Sequence, residues 1–223
     1  MKKFLMTALV LLIVFPSLYG QDAGKFAIGA RGGLNVVVGK TSSDFKIPIK
    51  NNDSKEAGMP GGDLVISGTY GFTNNIALQT ELNFMLGQGR AGRRKDNPST
   101  YFKISYSTLD IPFLLKVNFL PTQARFGVLG GPLFTFPLGE ASTKFSGAYT
   151  NSDFKNKIDA PNFGFTFGLF IGHSIQKLRW LIDLRYVQDF GNTTVKKWFD
   201  DNNDLKYLQR RAIVFTVGAE YTF

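Results

Sequence analysis

The chain has 223 residues, a formal net charge of +9, 24 Gly, 22 Phe, 8 Tyr, one His and no Cys. That length suits one sizeable all-β domain or barrel. The missing cysteines exclude disulfides, thiolate metal sites, cysteine nucleophiles and a lipidated N-terminal cysteine.

The first segment, MKKFLMTALVLLIVFPSLYGQ, carries two lysines, a twelve-residue uncharged apolar run over residues 4–15, then Pro16 and Gly20. This is the pattern of a secretory signal peptide cleaved before Gln21. The apolar run is shorter than the about 20 residues a transmembrane helix needs. The expected division is therefore a signal peptide over residues 1–20 and one domain over residues 21–223.

Period-two alternation fills the rest. KFAIGARGGLNV sets Phe26, Ile28, Ala30, Leu34 and Val36 against Arg31 and small residues. DLVISGTYGF, NIALQTELNFML and TLDIPFLLKVNF repeat the pattern, with Glu81, Asp110 and Lys116 on the polar side. ARFGVLGGPLFTF, NFGFTFGLFIG and LRWLIDLRYV continue it, with Arg125, Asp183 and Arg185 opposite the apolar residues. AIVFTVGAEYTF is the eighth such stretch, ending on Tyr221 and Phe223 with Glu220 on the other face. Such alternation means strands with one apolar and one polar face.

The connections alternate in length. Short turns are expected at residues 73–75, 121–123 and 174–177, and long polar loops at about 38–62, 88–102, 137–160 and 190–210. Long loops at one end and tight turns at the other are the pattern of an outer-membrane barrel. The expected fold is all-β, an eight-stranded antiparallel transmembrane β-barrel in up-and-down meander order. Its apolar faces meet lipid, its termini are periplasmic, and its last strand closes against the first so that no backbone group is left unpaired in lipid. The aromatic end, Tyr221 and Phe223, suits the periplasmic interface and resembles the signal read by the outer-membrane assembly machinery.

Three segments carry a more specific resemblance. YSTLDIPFLLKVNF, NNIALQTELNFMLGQG and LIDLRYVQDFGN resemble the PorT-like outer-membrane β-barrel family of Bacteroidota. The resemblance covers nearly the whole mature chain. It implies an outer-membrane barrel and, for one branch of that family, a part in assembling a secretion system.

By parity the lumen receives Arg31, Glu81, Asp110, Lys116, Arg125, Asp183, Arg185 and Glu220. Four acids and four bases in a narrow barrel must pair, which predicts a closed, salt-bridged interior. Inward Gly127, Gly131, Gly164 and Gly168 either make room for arginines or mark bends. His173 and Ser174 are the one His–Ser pair, but adjacent residues at a turn point in different directions and no acid is close at that end, so a lipid A-modifying dyad is disfavoured. The GARGG run (29–33) lacks the helix of a phosphate loop. Neither metal-ligand spacing nor a cofactor signature is present. The loop cations, densest at Arg90, Arg93, Arg94 and Lys95 and including Arg210, would face lipopolysaccharide phosphates. Export removes nucleic acid as a partner. The expected role is structural or binding, through the loops, as a component partnering a secretion or uptake complex. A small solute pore and a lipid A-modifying enzyme are the alternatives.

Overall fold

The computed structural model describes residues 23–38, 54–94, 101–120, 123–146, 151–159, 161–190, 193–195, 205–208 and 210–223. The expected signal peptide and Lys95 lie outside them. Eight long strands form the wall: β1 (Phe26–Val37), β2 (Ser54–Gly71), β3 (Ile76–Arg94), β4 (Tyr101–Asn118), β5 (Ala124–Ser146), β7 (Asn162–Ile175), β8 (Leu178–Asp189) and β11 (Arg211–Thr222). Each pairs antiparallel with its neighbours, β5 joins β7, and β1 joins β11, so the sheet closes. At the seam Phe223 N–H donates to the Phe26 carbonyl at 2.9 Å and Val38 N–H to the Arg211 carbonyl at 2.7 Å. The barrel therefore leaves no edge, as a lipid environment demands.

Alternation explains the two faces. Ile28, Leu64, Leu78, Leu115, Leu184 and Phe215 are exposed, while their strand neighbours are buried. In an aqueous protein that outer face would be an aggregation surface; against acyl chains it is the solvated one. Aromatic pairs mark both rims. Phe26–Phe223, Tyr70–Phe72 and Phe119–Phe126 lie at the short-turn end. Phe134–Phe163 and Phe163–Phe190 lie at the other.

The short turns fall where expected, and the last is tighter than expected. Thr73 accepts from Ile76 N–H at 3.0 Å through its hydroxyl, closing the first turn. In the last, Ser174 belongs to β7 and only Gln176 and Lys177 turn, with Gln176 at φ 54°. A two-residue hairpin takes positive φ to match strand twist.

The loop boundaries also shift. β2, β3, β4 and β5 run for 18, 19, 18 and 23 residues, well beyond the about 9–11 that cross a bilayer. β1, β8 and β11 have 12 each. One wall thus continues outward where loops at 38–62, 88–102 and 137–160 were expected. Its upper part pairs β5 with β6 (Asn151–Asp159), β6 with β9 (Thr193–Val195) and β9 with β10 (Leu205–Leu208). The wall leaves the barrel at two irregularities, at Gly87 (φ 66°) on β3 and Gly139 (φ 74°) on β5. Glycine adopts this left-handed backbone without a Cβ penalty.

Glycines also set the lumen's shape. Gly218 stands opposite Arg31, Gly29 opposite Glu220, and Gly168 opposite Arg185. A Cβ on Gly218 would come within 2.6 Å of the Arg31 Cα and Cγ. Gly127 instead faces Phe170 and Gly164 faces Asp189. We expect Gly218→Val to destabilise the barrel by at least about 1–3 kcal/mol, since packed interiors resist added volume. Urea unfolding of the refolded protein measures this; an unchanged midpoint would mean a loose seam.

Candidate functional site: a cross-braced lumen

The structure places Arg31, Glu81, Asp110, Lys116, Arg125, Asp183, Arg185 and Glu220 inside the barrel, all at least 95 % buried. Each sits on the face its strand parity sends inward. Among the described residues Asp63, Arg90, Arg179, Asp189 and Arg210 are also buried there. The charge stays nearly balanced, six acids against seven bases.

At mid-height Glu81 is the hub. It accepts from Arg31 Nη2 and Gln79 Nε2. Arg185 Nη1 and Nη2 reach its two oxygens at 2.6 and 3.0 Å. Arg185 also donates to Asp183 at 2.7 Å, and Arg31 Nε lies 3.3 Å from that same carboxylate. Below it Glu220 receives Arg179 at 3.2 Å and Lys116 at 3.4 Å, with Arg31 at 3.7 Å. Above it Arg210 binds Asp110 at 2.9 Å, Asp189 at 3.0 Å, Thr135 at 2.9 Å and Thr108 at 3.0 Å.

Three of these bridges cross the full lumen. Counting around the closed sheet, β3 and β8 are four strands apart, as are β4 and β11. Glu81–Arg185, Lys116–Glu220 and Arg210–Asp110 therefore each join opposite walls. A barrel of eight strands is narrow enough for side chains to meet at its axis. The remaining space is apolar in two places: Leu114, Leu129, Phe170 and Leu181 form one cluster, and Met85, Leu133, Val187, Ala212 and Val214 another. Lys116 Nζ sits 4.7 Å from the centre of the Phe170 ring. The interior is thus less uniformly polar than alternation implied.

Two basic residues depart from the expected surface group. Arg90 is 4 % exposed and donates to the Val38 carbonyl at 3.3 Å. The one-residue bulge at Gly87 reverses β3's parity, so odd positions face inward through Met85 and even positions from Gln88 onward. Arg210 is 1 % exposed, not a loop cation. Extending the even-inward parity of β11 by one step reaches it. Asp63 and Arg179 stand at inward parity within the stretches quoted for β2 and β8, and one further inward step along β8 finds Asp189. The side chains of Arg93 and Arg94 lie outside the described residues.

His173 faces outward and is exposed, while Ser174 faces the lumen and is buried. They form no dyad. Ser174 Oγ instead accepts from Arg125 Nε and Arg179 Nε, both at 3.3 Å. Among the described residues no group of three or more His, Cys, Asp or Glu could hold a metal ion. No described helix is long and apolar enough to cross a membrane.

A closed eight-stranded antiparallel barrel with a lipid-facing apolar exterior and an ion-paired interior defines an integral outer-membrane protein. The chain belongs to the family described as outer membrane protein beta-barrel domain, which matches residues 19–195. The match ends before β11, yet β11 supplies Glu220 and both seam pairings. Among solved structures, the outer membrane protein OprG from Pseudomonas aeruginosa is similar at 14 % identity and a TM-score of 0.52, covering 92 % of this chain and 98 % of that one. A major outer membrane protein from Thermus thermophilus is similar at 12 % identity and a TM-score of 0.52, covering 89 % and 98 %. At these identities the likeness concerns the fold. No curated protein sequence matches the chain.

Proposed function

We propose that the chain is exported with residues 1–20 removed and works in the outer membrane as a non-enzymatic, non-conducting barrel. Its role is to bind a partner through the wall that continues outward from β2 to β5. A protein of a secretion or uptake complex is the partner class we favour, in keeping with the PorT-like resemblance. Lipopolysaccharide phosphates would meet the cations of the outer segments, and Tyr221 and Phe223, exposed at the short-turn rim, would serve as the assembly signal.

One observation carries the closed-lumen reading. The side chains of Arg31, Glu81 and Glu220 have no solvent exposure. A continuous aqueous path along the axis would wet them. Refolding residues 21–223 in detergent, checking the fold by heat-shifted gel mobility, and recording planar-bilayer current tests it. We expect no discrete conductance. Reproducible channels would overturn the closed lumen and favour a small solute pore.

A further inference from the structure

We infer that the short-turn end of the barrel holds a binding site for a phosphate-type oxyanion. Two adjoining cavities lie there. One, of about 50 Å³, is lined by Lys25, Ser174, Lys177, Arg179 and Thr222. The other, of about 20 Å³, is lined by Lys25, Thr69, Thr73, Lys116 and Arg179. Each exceeds the about 10–15 Å³ that one water requires. Four cations line the pair, and neither cavity is lined by an Asp or Glu.

The site is built from the interior outward. Lys116, Ser174 and Arg179 are each more than nine-tenths buried, so their positions are held by the wall. Arg125 and Arg179 converge on the single Ser174 hydroxyl. That oxygen accepts twice, and its proton is given to no group of the described chain. Behind them Glu220 serves Lys116 and Arg179, and it also neighbours Arg31, which Glu81 and Asp183 balance. Lys25 and Lys177 add two further cations to the lining.

Converging ammonium, guanidinium and hydroxyl donors match an oxyanion with several acceptor oxygens. The site also touches lipid. Lys177 Nζ lies 6.0 Å from the Tyr221 ring centre, and Tyr221 and Phe223 are exposed on the outer face. The anion could therefore arrive as free phosphate or as a phospholipid headgroup of the inner leaflet.

The test uses the refolded mature chain in a nonionic, phosphate-free detergent. Inorganic phosphate is titrated in one arm and short-chain phosphatidylglycerol in the other, both followed by ³¹P NMR. Saturable binding is expected in at least one arm. Lys25→Gln with Lys177→Gln changes only exposed side chains, so the heat-shifted mobility should persist. Affinity should fall about tenfold for each charge-assisted hydrogen bond lost. Arg179→Gln should weaken binding similarly. Binding of inorganic phosphate assigns a free oxyanion; binding of the lipid alone assigns a headgroup. No binding in either arm overturns the inference. So does binding that the Lys25/Lys177 double variant leaves unchanged.

Discussion

Glu81→Ala should lower the unfolding free energy of the barrel by about 3–5 kcal/mol, the cost of breaking a buried ion pair from one side. The carboxylate accepts from Arg31, Arg185 and Gln79, and its side chain has no solvent exposure. Removing it leaves two guanidiniums to share Asp183, with Arg31 otherwise reaching only a Glu220 oxygen at 3.7 Å that Lys116 also engages. The effect should be read as a shifted urea midpoint in lipid vesicles, using the fluorescence of Trp180 on the lipid face. Replacing Glu81, Arg31 and Arg185 together by apolar residues of similar volume should recover much of the loss, because the desolvation penalty then disappears as well. A shift below about 1 kcal/mol for Glu81→Ala would mean that water reaches the two arginines, and the closed-lumen reading would fall with it.

Leu184→Arg should cost about 2–4 kcal/mol, the depth-dependent cost of a cation at the bilayer midplane. Leu184 is half-exposed on the middle of β8, opposite Leu169 on β7 and Phe215 on β11. Its outward course is apolar in every direction along the ladder. A guanidinium there can only snorkel toward a rim or draw water inward. The same substitution at Tyr186, two positions nearer the outer rim, should cost about 0–1 kcal/mol, because the penalty fades toward the interface. Equal effects at both positions would show that the apolar band is not centred where the aromatic rims place it.

Much of the fold is legible in the alternation. Period two along Phe26–Val37 or Leu178–Asp189 assigns every side chain to one of two faces. The lumen residues Arg31, Asp183, Arg185 and Glu220 follow directly from it. The same rule misses Arg90, because a bulge at Gly87 adds one residue to β3 and exchanges its faces. Nothing in the residues before Gly87 announces where that extra residue falls. Arg210 was hidden for a different reason: it precedes β11 in a polar stretch, so composition argued for solvent although parity pointed inward. Leu114 and Phe170 are apolar residues at inward parity, and they fill the lumen beside Lys116.

By itself the sequence determines that there are strands, which face of each is apolar, and that one end has short connections. These are local properties with a two-residue period, so a single strand carries them. It does not determine which charges meet. Glu81 and Arg185 are 104 positions apart, and they touch because an eight-stranded closure sets β3 opposite β8. The same closure joins Lys116 to Glu220 and Arg210 to Asp110. Partnership across a lumen depends on strand number, register and barrel width together, and those quantities exist only when the sheet has closed.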